Sequence, residues 1–246
     1  MTRKIFIPGA TSAIARETAI LMASGGHSFF LAARNPEALA KLAHDLEQAG
    51  ASSVGTAVGD LANIEQHQAL VDEADSFLKG MDTLLLAYGT LGDQEKCERD
   101  WDHAQAEIMT NFTSAASLLT RIANLFQKKG AGHIAVISSV AGDRGRGSNY
   151  VYGAAKGALS LFLQGLRNRL HKHGVQVLTI KPGFVSTPMT AHLKQGPLFV
   201  QPQVVARGIV KAIQKNKNVV YLPSRWWLIM LVIKSIPEWI FKRLNL

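Results

Sequence analysis

Seven short apolar runs, separated by longer stretches of helical periodicity, constrain this chain more than any other feature. The runs are Lys4–Ile7, Ser28–Ala32, Ser53–Val58, Thr83–Ala87, His133–Ser138, Gln176–Ile180 and Val219–Leu222. Each has the length of a buried strand and is too short for a typical globular helix. Between them, helices are predicted over Ala13–Ser24, Glu37–Ala49, Ile64–Leu78, Asp102–Lys128, Tyr152–His173 and Pro202–Asn216. Strands that alternate with helices assemble into a parallel sheet with helices on both faces. The expected fold class is therefore α/β, a single doubly wound parallel sheet. Right-handed crossovers place ligands at the carboxyl ends of such strands. A chain of 246 residues with 47% apolar content has enough material for one such core.

The first strand leads into Gly9-Ala10-Thr11-Ser12-Ala13-Ile14-Ala15 and then a helical pattern. Strand, small-residue turn and helix make a layout that binds pyrophosphate. Small residues let the backbone come close, and the helix start offers unbonded N–H groups. Here Ala13 and Ala15 stand where glycines are usual. By itself the segment fits a plain strand–turn–helix equally well.

Further along, Tyr152 and Lys156 are four residues apart on a predicted helix, so they share a face. A fixed ammonium favours the phenolate and lowers a tyrosine pKa from its usual value near 10. A tyrosine so placed can pass a proton to or from a reacting oxygen. Alone, the pair also fits an exposed helix stripe. Ser138 and Ser139 lie at the end of the preceding strand.

Taken in order, Gly9 to Ala15, Asp60-Leu61, Asn111, Ser139 with Tyr152 and Lys156, and Pro182-Gly183 resemble the short-chain dehydrogenase/reductase family over nearly the whole chain. That resemblance implies a Rossmann fold and hydride transfer between a nicotinamide and a carbonyl/alcohol pair. It implies that Ser139 holds the substrate oxygen and that Tyr152 exchanges the proton. Lys156 tunes the tyrosine and binds ribose, and Asn111 helps hold a relay water. It also implies cofactor contacts from Gly9, Thr11, Ser12, Ala13, Ile14, Asp60, Leu61, Ala87, Gly89, Tyr152, Lys156, Pro182, Gly183, Val185 and Thr187. Where relatives often have Asn-Asn-Ala-Gly, this chain has Leu86-Ala87-Tyr88-Gly89. That departure puts the local hydrogen bonding in question and sets Tyr88 at the cofactor channel.

After the second strand comes Arg34 and no acidic residue. An acid there would bind the ribose diol of NAD, whereas a guanidinium suits an added phosphate. NADP(H) is therefore expected in preference to NAD(H). A solvated Arg at a strand end is the plainer alternative.

Two segments bear on substrate. The loop Gly142 to Gly147 carries Arg144 and Arg146, which can receive an anionic group or simply be solvated. The tail, Trp226-Trp227-Leu228-Ile229-Met230-Leu231-Val232-Ile233 followed by Lys234, Pro237, Trp239 and Lys242-Arg243, is too short an apolar run to span a bilayer. Its Trp and basic residues, with a net charge of +9, suit an anionic membrane surface. A tail packed on the core or on a partner subunit fits as well. The expected division is a dinucleotide-binding catalytic domain over residues 1–224 and a tail over 225–246, forming one or two short helices broken at Pro237.

Stretches 138–156, 181–200 and 225–246 resemble one branch of the family more closely, the keto-reductase subunit of the decaprenylphosphoryl-ribose epimerase and its relatives. The branch implies a keto-sugar on a polyprenyl-phosphate carrier and a flavoenzyme partner that makes the ketone. The alternatives are another lipophilic or small carbonyl substrate, or a nonenzymatic, membrane-bound nucleotide sensor. The single cysteine, Cys97, excludes an internal disulfide framework and suggests a reducing compartment. No Cys/His cluster has metal-ligand spacing, so no metal is expected. The basic residues are scattered without a nucleic-acid motif, so none is expected as partner. A cytoplasmic homo-oligomer, or one at the inner face of the membrane, is expected.

Overall fold

The computed structural model describes residues 2–244. Strands β1 (Lys4–Pro8), β2 (Ser28–Ala33), β3 (Ser53–Val58), β4 (Thr83–Leu86), β5 (Gly132–Ile137), β6 (Val175–Pro182) and β7 (Val219–Leu222) form one sheet in the order β3-β2-β1-β4-β5-β6-β7. Every neighbouring pair is parallel. All seven runs therefore pair as expected, with ends shifted by no more than two residues. The connection from β3 crosses over β2 and β1 to reach β4, so the strand order reverses beside β1. A crevice opens at the carboxyl ends there, which is where such sheets bind ligands.

Alternation along the strands divides the interior into two layers. Ile5, Ile7, Phe29 and Leu31 point to one face. There they meet helices α1 (Ala13–Ala23), α2 (Pro36–Gln48) and α8 (Pro202–Gln214). Phe6, Phe30, Leu84 and Leu86 point to the other. That layer is closed by α3 (His67–Phe77), α6 (Ser114–Lys129) and α7 (Tyr150–His171). Phe126 of α6 is fully buried in it, and replacing it by Ala would cost about 3–5 kcal/mol.

Helix starts follow the local chemistry. Ser12 accepts from the Ala15 amide at the head of α1. Asn35 accepts from Ala38 at 2.7 Å at the head of α2, where Pro36 already fixes a helical φ. Helix α7 has no such side-chain cap of its own. Its Val151 amide is met instead by the side chain of Gln94, at 3.2 Å. Gln94 opens α4 (Gln94–Arg99), which forms within the charged stretch around Cys97 and was not expected from the sequence.

The long helix expected over Asp102–Lys128 is not continuous. It divides into α5 (Trp101–Ile108), a π-helical turn at Met109–Thr113, and α6. A π turn inserts a residue into the helix and re-aims the side chains on it. The residue re-aimed here is Asn111.

The tail forms two helices, α9 (Arg225–Ser235) and α10 (Glu238–Phe241), with Pro237 between them. Positions 245 and 246 of the expected tail lie outside the described residues. Among those residues, no helix is long and apolar enough to cross a membrane.

Candidate active site

At the β1–β4 crevice, Gly9 has φ +83° and sits directly against the chain following β4. A Cβ there would meet the Tyr88 amide at 2.5 Å, so no other residue fits. The turn brings Thr11, Ser12, Ala13 and Ile14 to the head of α1, which starts just past the carboxyl end of β1, where helix-start amides are available to an anion. With α1 starting at Ala13, the alanines in place of glycines sit in helical backbone, which any residue adopts. Ala87 follows β4, and its amide donates to the Pro8 carbonyl at 2.9 Å.

Tyr88 turns away from the crevice instead of lining it. Its phenol lies 2.8 Å from the Ser114 hydroxyl, and Ser114 donates in turn to the Leu61 carbonyl. Burial raises the Tyr88 pKa above its ordinary value, so it is a neutral donor. This chain of bonds ties the end of β4 to α6 and to the Asp60-Leu61 turn. The asparagines that the sequence lacks are therefore replaced by a different set of partners. Asp60 itself is exposed and accepts from the Ala62 amide at 3.0 Å.

Arg34 is exposed at the end of β2, beside the head of α2. Guanidinium, helix start and the absence of a carboxylate at this strand end suit an added phosphate. The Gly9 turn and the α1 start thus fit an NAD(P)-type dinucleotide, with Arg34 at the far end of the crevice.

Tyr152 and Lys156, on the first turns of α7, face Ser139 at the end of β5 and Asn111 on the π turn. The Ser139 hydroxyl accepts from the Ala141 amide at 3.1 Å, which leaves its own proton uncommitted by that bond. Neighbouring Ser138 is buried and structural, donating to the Lys156 carbonyl at 3.1 Å. The Lys156 Nζ stands 5.8 Å from the centre of the Tyr152 ring. Gly89 makes room for both Lys156 and Asn111. A Cβ on it would lie 2.6 Å from Asn111 Oδ1 and 3.0 Å from Lys156 Nζ.

Burial pushes the Tyr152 phenol above its usual pKa, against the pull of the Ser139 hydroxyl; Glu107 raises it further and Arg146 lowers it. This differs from the expected lowering by Lys156. Lys156 is itself buried, and desolvation brings its pKa down to about 8, opposed by the Glu107 carboxylate. At neutral pH the site therefore holds a neutral phenol beside an ammonium.

Sequence reasoning missed Glu107. Its carboxylate accepts from the Thr90 hydroxyl at 2.9 Å and from Asn111 Nδ2 at 3.0 Å. Asn111 Oδ1 accepts from the Thr90 amide at 3.2 Å. One turn of helix separates Glu107 from Asn111, and that spacing was the available signal.

The two loop arginines part company. Arg146 is half-buried and acts electrostatically on Tyr152. Arg144, expected at the rim for substrate, points into the tail. Its Nη1 donates to the carbonyls of Ile233 at 2.7 Å, Lys234 at 3.2 Å and Ile236 at 2.6 Å. Its Nη2 reaches Glu238 at 3.0 Å, and the guanidinium lies 3.7 Å from the centre of the Phe241 ring. Helix ends leave carbonyls without partners, and these recruit the arginine. The preceding Asp143 is paired with Lys181 and accepts from the Tyr221 hydroxyl at 2.6 Å, which fixes the same loop from below.

Pro182 ends β6, and the loop after it packs against the tail. A Cβ on Gly183 would fall 1.8 Å from the Trp226 indole nitrogen, so Gly183 is required by Trp226. Trp226 also meets the Phe184 ring edge-on at 5.2 Å. Val185 is buried and bridges Val200. Thr187 follows at the open side, its amide donating to Thr190 Oγ1 at 3.2 Å.

The profile of the short chain dehydrogenase family matches residues 3–197. An uncharacterized oxidoreductase of Mycobacterium tuberculosis is 38% identical over 240 residues, covering 98% of this chain and 96% of its own. An uncharacterized oxidoreductase of Streptomyces coelicolor is 34% identical over 244 residues, with 98% and 96% covered. In structure, levodione reductase superposes with a TM-score of 0.81 at 21% identity, covering 89% of this chain and 95% of that one. A short-chain dehydrogenase/reductase from Mycobacterium ulcerans gives 0.78 at 20% identity, with 89% and 87% covered. At that identity the two structures speak to the fold alone.

Proposed function

Because the chain belongs to the short-chain dehydrogenase/reductase family and is thus a NAD(P)-dependent oxidoreductase, we propose that it is an NADPH-dependent ketoreductase acting on a lipophilic carbonyl. The observation that carries the reading is Tyr152 set between the Ser139 hydroxyl and the Lys156 ammonium, with burial keeping its phenol protonated. A neutral phenol gives a proton, and a carbonyl becoming an alcohol needs one at oxygen. NADPH, when bound, supplies the hydride that the carbonyl carbon gains.

This chain's residues do the rest. Ser139 donates to the substrate oxygen and holds it by Tyr152. Tyr152 delivers its proton to that oxygen, and the phenolate left behind is stabilised by the charges of Lys156 and Arg146. Glu107 favours the charged form of Lys156, and Asn111, held by Glu107 and Thr90, would help place the relay water. Gly9 to Ile14 would cradle the pyrophosphate, Arg34 would meet the added phosphate, Asp60 and Leu61 would border the adenine, and Pro182 to Thr187 would cover the nicotinamide.

The finer reading of the substrate is a keto-sugar on a polyprenyl phosphate, made by an oxidising flavoenzyme. Two features support it. The apolar tail packs directly on the loops beside Ser139 and Gly183, and Arg146 offers a cation next to Tyr152 for an anionic group. With Arg144 committed to the tail, that role falls to Arg146 alone.

The test is Tyr152→Phe, which keeps the ring and removes the proton. Turnover of a ketone substrate should fall about 100-fold or more with NADPH binding retained. Turnover at the native rate would overturn the assignment.

A further inference from the structure

We propose that the outer face of α9 and α10 is a docking surface for an anionic lipid membrane. Helix α9 has two apolar faces. Trp226 and Met230 are 3% and 4% exposed and, with Ile229 and Ile233, pack against Val140, Phe184 and Tyr221. Trp227, Leu228, Leu231 and Val232 are 57%, 59%, 45% and 58% exposed. At 3.6 residues per turn these four fall in one arc about 140° wide, opposite the packed side. Trp239 on α10 adds a further exposed indole, 63% accessible.

Charge selects the occupant. On the same helical wheel Arg225 and Lys234 lie about 20° beyond the two edges of the apolar arc, Arg225 also donating to the Leu198 carbonyl at 3.0 Å while staying exposed. Lys242 and Arg243 follow α10. Among the described residues, none of these four pairs with a carboxylate. The one acid of the tail, Glu238, is already bound to Arg144. A second copy laid against this face would set basic rim against basic rim. An anionic surface with an apolar interior complements both the rim and the arc, and indoles beside Lys and Arg suit its boundary. Helix α9 is about 16 Å long, half of what a bilayer core of about 30 Å requires, so it lies in the plane of the surface. Its inner face touches Val140, the residue after Ser139, so the docked helix stays packed beside the site.

The surface stands apart from the hydride-transfer reading and is tested by binding alone. The full chain is sedimented with vesicles of equal parts phosphatidylglycerol and phosphatidylcholine, and with vesicles of phosphatidylcholine only. It should bind the first, less so as salt rises, and the second weakly. Trp227→Glu with Leu231→Glu should weaken binding about tenfold or more, with NADPH affinity and oligomeric state unchanged. Brominated lipid should quench tryptophan emission of the native protein, a readout that needs no variant. Absence of both sedimentation and quenching overturns the proposal. So does a double variant that binds as the native chain does, or one that changes the oligomeric state, which would assign the face to a second copy.

Discussion

Glu107 and Asn111 face each other across one helical turn, the Asn111 side-chain nitrogen 3.0 Å from the Glu107 carboxylate. The same carboxylate favours the charged form of Lys156. Because Lys156 is buried, its ammonium depends on this nearby anion, which offsets part of the desolvation. The π turn is what makes the arrangement, by presenting Asn111 inward while Glu107 stays on α5.

A pH dependence follows for the native enzyme. The Lys156 pKa is lowered to about 8, so the ammonium is present below that value and lost above it. Activity of the free enzyme, read as kcat/KM, should hold at neutral pH and fall as pH rises through about 8. Glu107→Gln keeps the side-chain shape, leaves one acceptor oxygen and removes the charge. Lys156 then loses its proton more easily, and the alkaline limb moves to lower pH. The rate at pH 8 should drop by roughly threefold or more relative to its own plateau. A limb that stays in place would show that Glu107 acts only through packing.

Arg34 sets the second prediction. It is exposed after β2 and, among the described residues, forms no ion pair with a carboxylate. Hydrogen bonds to a charged group contribute about 1.5–3 kcal/mol, a factor of roughly 10–100 in affinity. Arg34→Ala should weaken NADPH binding by that factor and leave NADH nearly unchanged. Calorimetric titration that finds equal NADPH and NADH affinities in the native protein would remove the argument.

Legibility in the sequence tracked how local each signal was. All seven strands could be read, since a buried parallel strand is a continuous apolar run. The pairing of Tyr152 and Lys156 was legible from spacing along one helix, whereas the choice of Ser139 over Ser138 came from the family resemblance. Three features were not. The break at Asn111 could not be read, because a π turn leaves no change in apolar period. Glu107 looked like any acid on an exposed helix, and its meaning depends on Lys156, forty-nine positions away in the chain. Arg144 looked like a free loop cation. Its partners are the carbonyls of Ile233, Lys234 and Ile236, and no side-chain pattern marks them.

Arg144 supplies the last prediction. One guanidinium closes the end of α9, holds Glu238 and lies over Phe241, with only 14% of its side chain exposed. It therefore fastens the tail to the loop that follows Ser139. Arg144→Ala leaves the helix-end carbonyls without a donor, at a cost of roughly 1–3 kcal/mol. At roughly 2–4 °C per kcal/mol for a chain of this size, Tm should fall by about 2–12 °C. Protease sensitivity should rise first within α9 and α10, since the inner face of α9 loses its clamp. Arg144→Lys should recover only part of the loss, because an ammonium cannot span three carbonyls and a carboxylate at once. Cleavage and Tm identical to the native protein in Arg144→Ala would mean that the Trp226 and Met230 packing holds the tail alone.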